Sequence, residues 1–263
     1  MYRFTLRNCI PLLLSCLLPI AAQAQLKVTP FSILEERQRS EDHFTQGLYF
    51  DGQRWWESSG LYRQSWLAEY TDPSAKPVRR KWLPGRLFAE GLTVLGDKLY
   101  LLTYKAGELH IYSSGDLQHL GVKQYSGEGW GLTSDGESLI MSNGSDTLTF
   151  RDPDTFEVKR QLRVHGAGED WSNLNELEFA EGLIWANIWQ NSRIIAIDPE
   201  SGEVLGAIDL GRLNPDVRQN PDTVANGIAW DKNRNGLWVT GKFWKQLYLI
   251  RPEGLGFIKN TAH

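Results

Sequence analysis

One short pattern recurs five times along this chain and decides what it can fold into. Gln46-Gly-Leu-Tyr-Phe-Asp-Gly52, Glu90-Gly-Leu-Thr-Val-Leu-Gly96, Trp130-Gly-Leu-Thr-Ser-Asp-Gly136, Asn175-Glu-Leu-Glu-Phe-Ala-Glu-Gly182 and Asn226-Gly-Ile-Ala-Trp-Asp231 share one frame. Each copy leads into a second apolar stretch (Arg54 to Trp56, Lys98 to Leu102, Ser138 to Met141, Leu183 to Ala186, Gly236 to Val239). A third follows (Trp66 to Tyr70, Glu108 to Tyr112, Thr147 to Phe150, Arg193 to Ile197, Gln246 to Ile250). The stretches are short, rich in aromatic and β-branched residues and separated by Gly/Asp turns, which is the signature of antiparallel strands. The anchors Leu48, Leu92, Leu132, Leu177 and Ile228 recur every 40 to 51 residues, the length of one propeller blade. A single blade cannot bury both faces, so the units stack radially around a channel. The expected fold is an all-β, five-bladed β-propeller.

Closure of the ring is also legible. The fifth unit ends soon after its third strand, whereas Phe31 to Gln38 precedes the first anchor and has nothing of its own to pair with. This N-terminal strand is expected to complete the last blade, sewing the ring shut and covering an open edge. The insertion from Leu210 to Thr223, with Pro215 and Pro221, reads as a loop that forms a short helix or a lid.

Residues 1–24 form a separate unit. Arg3 and Arg7 precede an almost wholly apolar run from Cys9 to Ala22, and Ala22-Gln23-Ala24 offers a small-x-small cleavage site. This is the pattern of a secretory signal peptide, and the run is too short for a membrane-spanning helix. The expectation is an exported protein, periplasmic or secreted, whose mature part, residues 25–263, is one propeller domain with no membrane span. Both cysteines, Cys9 and Cys16, fall in the leader, which leaves the mature part without disulfide, thiolate nucleophile or zinc-thiolate site. The formal net charge of −4 gives no cationic footprint for nucleic acid.

In a propeller the innermost strands begin near one mouth of the channel, so the residues just before each anchor converge there. Those positions hold Phe44 and Gln46, Phe88 and Glu90, Trp130, Asn175, and Asn226. The ends of second strands reach the same mouth and add Trp189 and Lys242. One acid, one cation, several amides and several aromatics suit a small pocket with few convergent polar groups. His43, His110, His119, His165 and His263 form no HExxH or Cys/His spacing, so no zinc site is readable, and no cofactor is expected. Glu128 and Glu176 also lie near the mouth. Either would replace Glu90 as the inward carboxylate if the register slipped by one residue, since a slip turns every side chain to the opposite face. The remaining tryptophans, among them Trp55, Trp56, Trp66, Trp82, Trp171, Trp185, Trp230, Trp238 and Trp244, read as blade packing.

Taken in order, Phe44-Thr-Gln-Gly-Leu48, Phe88-Ala-Glu-Gly-Leu92, Gly127-Glu-Gly-Trp-Gly-Leu132, Leu174-Asn-Glu-Leu-Glu-Phe179, Trp185-Ala-Asn-Ile-Trp189 and Gly241-Lys242 resemble the plant and bacterial glutaminyl-peptide cyclotransferases, the glutaminyl cyclases of the papaya type. The resemblance spans roughly residues 30 to 252. It implies a five-bladed propeller that converts the N-terminal glutaminyl residue of a peptide or protein to pyroglutamate with release of ammonia and without a catalytic metal. It further implies catalytic roles for Glu90, which moves the proton, for Asn175, which stabilises the developing oxyanion with help from Trp189, and for Lys242, which supports it. Phe44, Gln46, Phe88, Trp130 and Trp189 would bind the substrate, Gln46 through its amide or its amine. The expected partners are peptides or proteins beginning with Gln, and the expected state is a monomer.

Two other readings compete. A non-catalytic propeller that binds a ligand or protein would scatter Gln46, Glu90, Trp130, Asn175 and Lys242 over a rim instead of gathering them in one pocket. A lactonase-like hydrolase would carry a metal held by several channel carboxylates and Asn residues.

Overall fold

The computed structural model describes residues 26–40, 42–213 and 222–254. The expected leader, its cleavage site and Gln25 lie outside the described residues, as do residues 214–221 of the insertion. The described start of that insertion is a single 3-10 turn, Gly211–Leu213.

The first strand, β1 (Phe31–Gln38), stands apart from the blade that follows it in sequence. Blade one is β2 (Thr45–Phe50), β3 (Trp55–Ser59), β4 (Trp66–Tyr70) and β5 (Arg79–Trp82). Blade two is β6 (Ala89–Leu95), β7 (Lys98–Thr103), β8 (Glu108–Ser113) and β9 (His119–Gln124). Blade three is β10 (Leu132–Ser134), β11 (Leu139–Met141), β12 (Thr147–Arg151) and β13 (Val158–Arg163). Blade four is β14 (Leu174–Ala180), β15 (Leu183–Ile188), β16 (Arg193–Ile197) and β17 (Val204–Asp209). Blade five is β18 (Ala225–Asp231), β19 (Gly236–Gly241) and β20 (Gln246–Pro252), with β1 as its outermost strand.

The ring closes as the sequence implies. β1 runs antiparallel to β20, from Phe31 opposite Pro252 to Gln38 opposite Gln246, with a bulge between Ile33 and Glu35. Arg39, just beyond β1, then makes a buried ion pair with Glu57 of β3, and His43 Nδ1 lies 3.0 Å from the second carboxylate oxygen. The closing strand is thereby tied to blade one by charge as well as to blade five by its ladder. Burial alone would raise the Glu57 carboxyl, but Arg39 and His43 hold it down at about 2.

Blades one to four each carry a fourth strand that the three-strand sequence pattern did not contain, whereas in blade five β1 takes that place. These outer strands read Arg-Arg-Lys-Trp in β5 and Val-Lys-Arg-Gln-Leu-Arg in β13, and they are mostly exposed. Charged outer edges discourage pairing with another chain. Trp82 belongs to β5 and is 64% exposed, so it departs from the packing role expected of it. The Arg80 guanidinium lies 5.7 Å from its ring centroid.

Hydrophobic clusters fill the five interfaces between neighbouring blades. Trp56, Leu67, Leu99 and Leu101 join blades one and two, and Trp185, Ile194, Ile228 and Leu237 join blades four and five. Full burial of such a side chain contributes roughly 1.5–3 kcal/mol. Apolar area is therefore spread around the ring, and the axis is left to polar groups.

The axis explains the repeated glycine. A Cβ on Gly91 would lie 2.4 Å from the Leu132 nitrogen, and one on Gly131 would lie 2.0 Å from the Asn175 carbonyl oxygen. Only glycine lets neighbouring inner strands approach so closely. The fourth repeat carries Glu176 at this place. Its carboxylate crosses the axis, accepting the Leu48 N–H at 3.3 Å and the Ile228 N–H at 2.8 Å, and so bolts blade four to blades one and five.

Candidate active site

The frame that carries the repeat also aims the site residues. In four of the inner strands the ladder slips just before the anchor, between Thr45 and Gly47, Ala89 and Leu92, Leu174 and Leu177, and Ala225 and Ile228. These bulges fall on Gln46, Glu90, Asn175 and Asn226. A bulge leaves its extra residue outside the ladder and re-aims its side chain. Here it turns alternate polar residues toward the channel without breaking the apolar faces on either side.

All eight expected site residues line one cavity of about 230 Å³: Phe44, Gln46, Phe88, Glu90, Trp130, Asn175, Trp189 and Lys242. Gln46, Glu90, Asn175 and Lys242 are buried, whereas Trp189 is 39% exposed and forms part of the lip. The polar groups thus gather in one pocket and do not spread over a rim.

Three positions lie elsewhere. Asn226 sits behind Gln46 and donates to it, outside the pocket wall. Glu176 is the axial bolt described above. Glu128 stands at the side, accepting the Trp130 indole N–H at 3.0 Å and pairing with Lys105 at 3.4 Å. The register therefore leaves Glu90 as the inward carboxylate.

Four further residues line the pocket: Tyr104, Gln190, Asp222 and Val224. Two of them had a signal in the sequence. Tyr104 follows the second strand of its blade as Trp189 and Lys242 follow theirs, and Val224 precedes Ile228 by the interval that separates Phe44 from Leu48. The backbone makes the equivalence explicit: Tyr104, Trp189 and Lys242 donate their N–H groups to Phe88, Asn173 and Val224. Gly60 holds the corresponding place in blade one, where a Cβ would meet the Phe88 ring at 2.4 Å.

The walls are aromatic. Phe44 meets Phe88 edge to face at 6.1 Å, Phe88 meets Tyr104 at 5.7 Å, and Trp130 meets Trp189 edge to face at 5.7 Å. The Lys242 ammonium lies 4.7 Å from the Phe44 ring centroid, an attractive placement over a π face.

Electrostatics follow from this enclosure. Burial raises the Glu90 carboxyl well above the ordinary carboxylate range; Lys242 pulls it down, and Glu128 pushes it further up. Burial lowers the affinity of Lys242 for its proton, against the attraction of Glu90 and Asp222. Desolvation disfavours charge on both partners. The two shifts bring the proton affinities of this acid and this base closer together than they are in water. Among the described residues no group of three or more His, Cys, Asp or Glu is placed to hold a metal ion.

Comparison with known proteins agrees with this geometry. The chain is 34% identical over 230 residues to a glutaminyl-peptide cyclotransferase of Arabidopsis thaliana, covering 86% of this chain and 72% of that protein. It is similar to the crystal structure of Myxococcus xanthus glutaminyl cyclase, with a TM-score of 0.80 and 37% identity over 87% of this chain and 98% of the other. The model of the glutamine cyclotransferase family matches residues 9–251. With the repeat, the ring and the pocket in agreement, this chain belongs to the glutamine cyclotransferase family.

Proposed function

We propose that the chain converts the N-terminal glutaminyl residue of a peptide or protein to pyroglutamate with release of ammonia, without a catalytic metal, and that Glu90 carries the proton. The observation that supports this reading is the placement of Glu90: it is the one buried carboxylate among the described residues of the pocket, whose other carboxylate, Asp222, is exposed, and whose remaining walls are aromatics, amides, Val224 and a lysine. On this reading the chain works as the papaya-type enzymes do.

The substrate holds its own nucleophile and electrophile, so the protein's task is to fold the glutaminyl side chain back on its amine and keep it there. An α-amine with a pKa of about 7.7–8.0 arrives largely protonated and cannot attack. In a desolvated pocket an ammonium beside a carboxylate favours the neutral pair, amine and carboxylic acid. Glu90 thus takes the proton on binding. The freed amine adds to the side-chain carbonyl carbon, the carbon–nitrogen bond of the ring forms, and the carbonyl oxygen gains negative charge. Asn175 and Trp189 offer N–H groups to that oxygen and Lys242 supports it, while Gln46 holds the substrate amide or amine. A single donor of this kind is worth about 3–4 kcal/mol in other enzymes. Glu90 then returns its proton to the departing nitrogen, the oxyanion collapses, the exocyclic carbon–nitrogen bond breaks and ammonia leaves, and the ring nitrogen gives its surplus proton to the freed Glu90 carboxylate, which passes it to solvent. Trp130 and Trp189 pack the folded side chain, and Phe44 and Phe88 exclude water from it.

The test is ammonia release from a Gln-initiated peptide with a chelator present, with Glu90→Gln beside the parent. The proposal requires turnover that survives the chelator and falls by about 10²–10⁴ in the variant. Loss of turnover on chelation, or a variant as fast as the parent, would refute it. We extend the proposal to export through residues 1–24 and to action as a monomer. Cell fractionation with the intact leader and gel filtration of the mature part test these.

A further inference from the structure

Asn226 shares the repeat position of Gln46, Glu90, Trp130 and Asn175, yet it does not line the pocket. It is fully buried behind Gln46. Its Nδ2 donates to the Thr45 carbonyl at 2.8 Å and to Gln46 Oε1 at 3.0 Å. The orientation of a side-chain amide is ordinarily inferred from its surroundings. Here the surroundings leave one choice. A backbone carbonyl has no hydrogen to give, so the Asn226 atom beside Thr45 O is the nitrogen. That nitrogen spends its second proton on Gln46, so the Gln46 atom it reaches is the oxygen. The Gln46 Nε2 group is left for the pocket, where it makes no hydrogen bond to any described residue.

Turning Asn226 over would set two oxygens against each other at the Thr45 carbonyl and remove the constraint on Gln46. The backbone beside it is fixed too, Gly227 donating its N–H to Asn187 Oδ1 at 3.0 Å, while Asn226 Oδ1 is buried with no hydrogen-bond partner among the described residues. The chain of fixed polarity thus runs from a main-chain carbonyl of blade one, through a side chain of blade five, back to a pocket side chain of blade one.

We propose that Asn226 is a positioning residue that fixes the polarity of the Gln46 amide, so that Gln46 presents N–H to a substrate oxygen and not its own oxygen to the substrate amine. This rests on the cyclisation reading above and narrows it. The oxygen served is the side-chain carbonyl oxygen of the glutaminyl residue, and the amine is left to Glu90 alone.

The test is a double-mutant cycle of parent, Asn226→Asp, Gln46→Ala and the combined variant, with kcat and KM measured on a Gln-initiated peptide and melting temperatures recorded. A carboxylate at position 226 accepts from Gln46 Nε2 and turns the Gln46 oxygen into the pocket. Each single variant is expected to lose roughly 10–100-fold, mainly in kcat, since the lost donor serves charge that develops in the transition state. The combined variant is expected to be no worse than the poorer single one, because both act through one group. Multiplying losses, or an Asn226→Asp enzyme within about threefold of the parent, would overturn the proposal. Should Asn226→Asp fail to fold, Gln46→Glu decides. It keeps an oxygen for Asn226 while offering the pocket an acceptor, and it is expected to be as slow as Gln46→Ala above neutral pH; retained activity overturns the assignment. A parent that releases no ammonia from Gln-initiated peptides overturns the cyclisation reading itself, and the Gln46 role with it. A turning-over parent with an undamaged Asn226→Asp overturns the positioning role alone.

Discussion

Replacing Glu178 by Gln isolates the energetic cost of placing a carboxylate at the far end of the channel. Glu178 is buried on β14 and accepts the Trp230 N–H at 3.0 Å. Burial raises its carboxyl to about 8, against the pull of that N–H and of the Thr133 hydroxyl. The folded protein therefore holds a proton that the unfolded chain releases near pH 4.5. The sign follows: the contribution to stability is complete below about pH 4.5 and is lost as pH rises through about 8. A rise from 4.5 to about 8 corresponds to about 5 kcal/mol, of which roughly 3–4 kcal/mol falls between pH 5 and pH 8. Burial, and after it the charge of Glu178, raises the neighbouring Glu176 carboxyl as well; Glu176 is present in both proteins, so the difference between parent and variant reads Glu178. Urea unfolding of parent and Glu178→Gln at pH 5 and pH 8 gives the comparison, with equal m-values as the check that the unfolded states match. The parent should lose several kcal/mol relative to the variant between the two pH values. Curves that stay parallel within about 1 kcal/mol would refute the reasoning, since they would mean that Glu178 is ionised at little cost in the fold.

Three further outcomes are expected. Arg39→Met leaves Glu57 buried without its main partner and should cost about 3–5 kcal/mol in urea unfolding; in the parent, the Glu57 contribution of about 3 kcal/mol is present above the unfolded value near 4.5 and should disappear as pH falls toward 2. Gly131→Ala places a Cβ 2.0 Å from the Asn175 oxygen and should destabilise by about 1–3 kcal/mol while slowing turnover, because it sits between Trp130 and the Asn175 strand; Gly121→Ala, with open space around its Cβ, should be neutral or slightly stabilising by thermal melting. Deletion of the sequence through Gln38 removes β1 and bares the edge of β20, so light scattering should show self-association; a monodisperse, stable product would count against closure by β1.

Much of this protein could be read before any coordinates. The repeat of Gln46, Glu90, Trp130, Asn175 and Asn226 ahead of their anchors gave the blade count, the closing role of Phe31–Gln38 and the pocket list. Repetition turns a weak local signal into a positional one. Of the fourth strands in blades one to four, β5 and β13 were not legible because they are solvent-facing and charged and carry no apolar alternation to detect. Tyr104 and Val224 were legible in principle: the rule that led to Trp189, Lys242, Phe44 and Phe88 extends to both.

What the sequence determined by itself was the period, and a period of short strands has few ways to bury its faces other than a closed ring. What the tertiary structure decided was which polar side chain points where. Glu90, Glu128, Glu176 and Glu178 are all glutamates beside the same channel. One enters the pocket, one holds an indole from the side, one bolts three blades together, and one is buried at the far end. Asn175 and Asn226 occupy the same repeat position, yet one lines the pocket and the other stands behind Gln46. These differences arise from bulges and from contacts between blades far apart in sequence. Neither is encoded in the pattern of any single repeat.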